Sequence, residues 1–311
     1  MSRLAFGVYS VTGMYGSVPV IEAHRIIVEA VRLGIDAFDT ADFYGRGLGE
    51  ELLRGVPASF IATKVGYRLD SPRPVQDFRP EYLVRAAEAS RRRLGVERID
   101  LLQLHNPPLN VLRDPSVYKA LRTIVREGIA EETGVALGPE TDVLPHALEA
   151  LKHEEVSSLQ FVYNMLEQEP GATIAEAARE AGVKTLVRVP HAGGVLDETV
   201  KPGEEKRLGD HRTLRRKGWY QWAHRVYWER IRPLLQAHPG TPGQKALRYI
   251  EDTINPDYII VIAKTPEKLE EYAGYKQIPP IPKTVLEEIR RIYLEEAPKS
   301  PEAPKTLTLK P

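Results

Sequence analysis

The 311-residue chain contains no cysteine, which removes disulfides, thiolate nucleophiles, iron–sulfur clusters and zinc–thiolate sites together. Any redox chemistry must then draw its electrons from an organic cofactor. Net charge is lacking as well, because 43 basic residues balance 43 acidic ones. No global field exists to gather nucleic acid or an anionic membrane surface, so small molecules are the expected partners. No apolar run approaches the roughly 20 residues that cross a bilayer. The opening Met1-Ser2-Arg3-Leu4-Ala5-Phe6-Gly7 has one basic residue and no signal-peptide core, and a cytoplasmic location is the expectation. His146 and His153 do not fall at a helical metal spacing, and His191, His211, His224 and His238 form no recognisable ligand set. No metal site is expected.

What the chain does have is a rhythm. Short β-branched or aliphatic runs at residues 4–10, 35–39, 60–65, 99–105, 130–137, 156–163, 184–189 and 258–263 alternate with amphipathic stretches such as 20–33, 81–94, 117–127, 143–152 and 173–181. Most of the short runs are continuously apolar, the pattern of a parallel sheet covered by helices. Gly34, Gly95, Gly128 and Gly182 close amphipathic stretches, where a left-handed cap turns the chain into the next strand. Eight strands with intervening helices predict an α/β fold, a (β/α)8 TIM barrel of parallel strands ringed by helices, with an open doubly wound sheet as the alternative. A single barrel domain over residues 1–296 and a Pro/Lys-rich tail over 297–311 are the expected organisation. Residues 197–218 are charged and aperiodic and follow the seventh strand, where barrel enzymes place covers for substrate and cofactor. An aromatic helix is expected at 219–235.

In such a barrel the site forms at the C-terminal ends of the strands. Asp39, Lys64 and His105 finish three successive strands, and Tyr44 lies on the loop leaving the second. The four make chemical sense as a proton donor with its supports. A phenol titrates near 10, and an adjacent ammonium, Lys64, is expected to lower that value; Asp39 is expected to hold the buried ammonium charged, and His105 to orient a carbonyl oxygen. The set lacks a nucleophile and a hydride source, which points to a bound nicotinamide.

The sequence resembles the aldo-keto reductase superfamily through Phe38-Asp39-Thr40-Ala41-Asp42-Phe43-Tyr44-Gly45, Gly49-Glu50-Glu51-Leu52-Leu53, Thr63-Lys64, Leu102-Gln103-Leu104-His105-Asn106-Pro107, Gly134-Val135 and Gln160-Phe161-Val162-Tyr163-Asn164. The resemblance runs from the first strand to about Tyr272. It implies a barrel that binds NADP(H), or less often NAD(H), without a Rossmann domain, and that reduces aldehydes or ketones. Residue by residue it implies Tyr44 as the acid, Lys64 and Asp39 as the pair that tunes it, His105 as the carbonyl-orienting histidine and Gln160 as the ligand of the nicotinamide amide.

After the fifth strand the family usually has Gly-Val-Ser-Asn, and this chain has Gly134-Val135-Ala136-Leu137. After the seventh it commonly has a stacking aromatic before Ser-Pro; here Arg188-Val189-Pro190-His191 stands instead, and the planar guanidinium of Arg188 is a candidate for the ring's place, with His191 beside it. After the eighth, Lys264-Thr265-Pro266-Glu267-Lys268 reads as a helix start flanked by cations, suited to the 2′-phosphate of NADP. Glu271-Tyr272 stands where the family has Glu-Asn. NADP is therefore the expected cofactor, with NAD possible. Gly45-Arg46-Gly47-Leu48-Gly49 has Glu50 in place of a dinucleotide fingerprint's third glycine and reads as a tight turn. Two other functions fit the same residues: a cofactor-binding regulatory subunit with little turnover, and a barrel aldolase using Lys64 as a Schiff base.

Overall fold

The computed structural model describes residues 3–139 and 142–303. Eight strands close into one parallel barrel in sequence order: β1 (Arg3–Gly7), β2 (Ala37–Asp39), β3 (Phe60–Val65), β4 (Ile99–His105), β5 (Ala130–Ala136), β6 (Ser158–Val162), β7 (Lys184–Arg188) and β8 (Tyr258–Val261), with β8 paired back to β1. Around it run α1 (Val20–Arg32), α2 (Leu48–Glu51), α3 (Pro80–Leu94), α4 (Leu109–Leu112), α5 (Pro115–Arg126), α6 (Leu144–Ala150), α7 (Gly171–Glu180), α8 (Trp219–Val226), α9 (Pro242–Thr253), α10 (Pro266–Ala273) and α11 (Lys283–Glu296). The expected (β/α)8 barrel is the fold, and the doubly wound alternative is excluded by the β1–β8 pairing.

Side chains alternate across each strand, so every second residue faces the barrel axis. One inward parity carries Ala5, Ala37, Ala62, Leu101, Leu186, Tyr258 and Ile260, which pack into a compact apolar plug. Phe60 stacks on Tyr258 at 4.6 Å beside it. The same parity, two residues further along, brings Asp39, Lys64, Gln103 and Arg188 towards the mouth. The opposite parity, including Phe6, Phe38, Leu102 and Val187, belongs to the larger core between strands and helices. Small residues within the barrel leave room for its polar layer. A Cβ on Gly134 would stand 2.0 Å from the Ser158 hydroxyl oxygen and 2.6 Å from its carbonyl oxygen, so glycine is what lets β5 and β6 approach here.

Three local departures from the expected elements have physical causes. Residues 8–10 do not extend β1; they enter a 3-10 turn, Val8–Val11, and the Ser10 hydroxyl donates to the Ala263 carbonyl at 2.9 Å. The expected helix at 219–235 is α8 followed by a π turn, Tyr227–Ile231, and a 3-10 turn, Arg232–Leu235; Pro233 in the last turn has no N–H for an i→i−4 bond. Within 197–218 the aperiodic chain carries two 3-10 turns, Glu204–Arg207 and His211–Leu214. Beyond α11 a turn, Ala297–Lys299, leads to Glu302, whose carboxylate pairs with Arg215 and so ties residues 297–303 to the segment after β7. Residues 304–311 of the expected tail lie outside the described residues.

Candidate active site

Lys64 is 1% exposed. Its ammonium donates to both Asp39 carboxylate oxygens, at 2.7 and 2.8 Å, and to the Thr40 carbonyl oxygen at 2.8 Å. A cation with three donors therefore has three acceptors, which is what keeps it charged where an unpaired ammonium would lose its proton. The Tyr44 hydroxyl lies 3.4 Å from the same nitrogen. Tyr44 opens a turn, Tyr44–Gly47, on the loop that leaves β2 at Asp39. Gly45 there has a φ of 59°, and a Cβ on it would stand 2.9 Å from Leu48 Cβ, so the Tyr-Gly pair is set by backbone conformation.

His105, at the end of β4, meets Tyr44 edge-on with ring centroids 5.7 Å apart. Tyr67 packs edge-on against His105 at 5.0 Å, and Phe43 lies against Tyr67 at 4.9 Å. On the other side Tyr9 meets Tyr44 at 4.8 Å, and Tyr15 meets Tyr9 at 5.6 Å. The quartet expected from the sequence is thus assembled at one mouth and walled by aromatic rings. Sequence reasoning did not single out Tyr67 or Phe43, although Tyr67 follows Gly66 just beyond β3, the kind of position that drew attention to the others.

The electrostatics differ from expectation at one point. Burial pushes the Tyr44 phenol up, and the Asp39 carboxylate adds to the effect, so the expected lowering by Lys64 does not prevail in the resting site. The reason is that loss of water raises the phenol and the Asp39 carboxylate raises it further, and the Arg188 cation, which acts the other way, does not offset them. Burial also lowers Lys64, against the pull of Asp39, and holds His105 well below the usual histidine value, with the Lys64 and Arg188 cations adding to it. The site therefore rests with a protonated phenol and a neutral imidazole.

Gln160 lies in the same interior layer: its amide nitrogen donates to Asp39 at 2.7 Å and to the Gln103 side-chain oxygen at 3.3 Å, and Gln103 in turn donates to the Ser158 hydroxyl at 3.3 Å. Arg188 ends β7 and donates to the Leu137 carbonyl at 2.6 Å. Its position is fixed from behind by Asn164, whose amide donates to the Val189 carbonyl at 3.0 Å, Val189 having a φ of 60°. Behind the motif, Asp42 is buried beside Glu50, and burial with that neighbour pushes its carboxyl well above the usual range. Glu50 accepts from Thr63 and Arg93, both at 2.6 Å.

The remaining sequence candidates gather elsewhere. His191 stacks on Tyr272 at 4.4 Å and donates through Nε2 to the Gly243 carbonyl at 3.2 Å. Tyr272 donates to Asp197 at 2.7 Å. Lys268 pairs with Glu271 at 2.6 Å, and Glu271 also accepts from the Thr241 hydroxyl at 2.6 Å. Thr265 caps α10 by accepting from the Lys268 amide at 3.4 Å. Lys264 reaches the Tyr15 carbonyl, with the Arg212 guanidinium 5.0 Å from the Tyr15 ring centroid. The structure thus brings Gln160 and Arg188 to the quartet and places His191, Thr265, Lys268 and Glu271 in a separate group at the start of α10.

A sequence model described as the Aldo/keto reductase family matches residues 3–294. This chain belongs to the aldo-keto reductases. A probable aldo-keto reductase of Glycine max is 28% identical over 267 residues, 80% of this chain and 73% of that one. An NADP(+) aldo-keto reductase of Schizosaccharomyces pombe is 25% identical over 79% of this chain and 75% of its own length. Among solved structures, the holo form of an aldo-keto reductase from Bacillus halodurans superposes with a TM-score of 0.74 at 24% identity, covering 93% of this chain and 91% of that one. A glycerol dehydrogenase from Gluconobacter oxydans gives 0.77 at 21%, covering 96% and 93%. At those identities the structural likeness is one of fold. The chain is an oxidoreductase of this family, whose members act by hydride transfer, and among the described residues no helix is long and apolar enough to cross a membrane.

Proposed function

We propose that this aldo-keto reductase reduces an aldehyde or ketone with NADP(H), NAD(H) being the alternative donor, and that Tyr44 delivers the proton. The observation that carries this reading is the enclosed Lys64–Asp39 pair 3.4 Å from the Tyr44 hydroxyl. A bound reduced nicotinamide supplies the hydride to the carbonyl carbon. Tyr44 then gives its proton to the oxygen, which becomes more basic as alkoxide character grows, and the phenolate left behind faces the Lys64 ammonium. His105, held neutral, donates a hydrogen bond to the same oxygen without competing as an acid. The aromatic rings exclude water from the exchange.

The residues present suit the cofactor unevenly, and in a way that names its contacts. Ala136, Leu137 and Val189 carry no side-chain donor, so Gln160 is left to hold the nicotinamide amide, with the Arg188 guanidinium, whose Nε is enclosed without a partner, beside it. The capped start of α10, with Thr265, Lys264 and Lys268, suits a 2′-phosphate, and this is the ground for NADP over NAD. His191 and Glu271 line that end. The Lys64 donors are all engaged with Asp39 and Thr40, which supports proton delivery over imine formation. Tyr44→Phe tests the reading: kcat/KM falls by about 10²- to 10⁴-fold while NADPH still binds. Undiminished turnover in that variant refutes it, and tight cofactor binding with negligible wild-type turnover over a broad aldehyde panel moves it to a regulatory subunit.

A further inference from the structure

Arg188 is the cation at the mouth that the neutral ledger of the site does not balance. Lys64 is neutralised by Asp39 at 2.7 Å, Arg93 by Glu50 at 2.6 Å and Arg212 by Asp210 at 2.6 Å. Burial and the Glu50 neighbour push the Asp42 carboxyl well above its usual range, and burial holds His105 well below the usual histidine value. Arg188 makes one hydrogen bond, to the Leu137 carbonyl, and its Nε has no partner; no carboxylate among the described residues pairs with it. Arg188 is thus a cation at the mouth with no paired counter-charge. Arg188 ends β7 two residues beyond the inward Leu186, on the parity that carries Asp39, Lys64 and Gln103, which places it in the same layer as the reacting groups. A half-buried guanidinium left without a counter-charge is costly, and its Nη1 end, which makes no hydrogen bond among the described residues, is matched by a carboxylate.

We infer that Arg188 anchors a carboxylate on the substrate, so that the compound reduced is a carbonyl acid, and a flat one where the Tyr9, Tyr44 and Tyr67 rings wall the mouth. This rests on the carbonyl-reductase reading and deepens it. A monoanion supplies the missing counter-charge; a dianionic phosphate overshoots it beside Asp39. A neutral carboxamide of the cofactor leaves the charge standing, so the cofactor alone does not account for an arginine here. The backbone serves the same end: Asn164 fixes the Val189 carbonyl, and Leu137 fixes one edge of the fork, leaving the guanidinium little freedom to lose on binding.

The test compares 4-carboxybenzaldehyde with methyl 4-formylbenzoate, the same skeleton without the charge, in the wild type, Arg188→Met and Arg188→Lys. The ratio of kcat/KM, acid over ester, is expected above one in the wild type and to fall about 10- to 100-fold in Arg188→Met, with Arg188→Lys between them. A ratio that does not move overturns the inference. So does an equal loss for both aldehydes accompanied by weaker NADPH binding, because the guanidinium then serves the cofactor. A second measurement is independent of turnover: 4-methylbenzoate titrated into the NADPH-loaded protein is expected to bind the wild type and Tyr44→Phe and to lose at least about tenfold in affinity in Arg188→Met. If neither aldehyde is reduced, the catalytic reading fails while this titration still decides the carboxylate site; equal binding to all three proteins overturns it.

Discussion

Asp39→Asn removes one charge from the enclosed pair and keeps its shape, and its consequences follow from the geometry. The Lys64 ammonium lies 2.7 and 2.8 Å from the two Asp39 oxygens. At that separation, with an effective dielectric of about 20, the Coulomb attraction is roughly 6 kcal/mol. Breaking a buried pair costs about 3–5 kcal/mol by experience with other proteins. Either figure is large against the roughly 1.4 kcal/mol that moves a pKa by one unit, so losing the carboxylate drives Lys64 clearly downward. Burial already holds Lys64 below its ordinary value, so the variant's lysine titrates lower still.

The alkaline limb of kcat/KM therefore moves to lower pH in Asp39→Asn, and above that limb the developing Tyr44 phenolate has no cation facing it. The assay is NADPH oxidation between about pH 5 and pH 10 for the wild type, Asp39→Asn and Lys64→Met, the last giving a low rate with no lysine limb. Stability follows with a definite sign. A group whose folded pKa lies below its unfolded one makes the unfolded chain the better proton binder between the two values, so stability declines as pH falls through that window. In Asp39→Asn the window extends further down than in the wild type, and urea unfolding at several pH values reads the extension. An Asp39→Asn enzyme with the wild-type limb at the wild-type pH refutes the assignment of Asp39 as the group that keeps Lys64 charged.

His105, held well below the usual histidine value, contributes stability that is fully present above about 6.5 and is lost as pH falls towards its depressed value; at about pH 5 the loss is up to roughly 2 kcal/mol. Chemical denaturation at the two pH values reads it, and His105→Gln should lose less on acidification; an unchanged pH dependence contradicts the buried neutral ring. At the other end of the proposed cofactor site, Lys264→Ala with Lys268→Ala is expected to abolish a preference for NADPH over NADH in dissociation constants, because both ammonium groups lie at the capped start of α10. Equal affinities of the wild type for the two cofactors dismiss the NADP assignment.

The barrel was legible because fully buried parallel strands must be apolar on both faces, and eight such runs appear in order. The quartet was legible for a related reason: a Lys inside an apolar strand has no bland explanation, and strand ends in a barrel converge. Other features depend on distances that a sequence does not carry. The stack of His191 on Tyr272 joins residues 81 positions apart, and Asp197 meets Tyr272 from the aperiodic segment; no periodicity in either segment marks the encounter. Val8-Tyr9-Ser10 has the composition of a strand and forms a turn because Ser10 finds its acceptor at Ala263, a tertiary contact overriding local preference.

The direction of the Tyr44 shift failed for a deeper reason. Sequence order shows that a lysine and an aspartate converge on a tyrosine, but the outcome depends on how deeply the phenol is buried and how near the carboxylate stands, and that is settled by ångströms. The same holds for charge as a whole. Forty-three bases against forty-three acids describe a neutral molecule, yet neutrality is enforced pair by pair: Lys64, Arg93 and Arg212 find carboxylates, while Arg188 does not. A balanced composition therefore excludes long-range steering and says nothing about a local surplus within a few ångströms of the reacting atoms. That surplus, invisible to any count, is the feature from which the substrate's own charge is inferred.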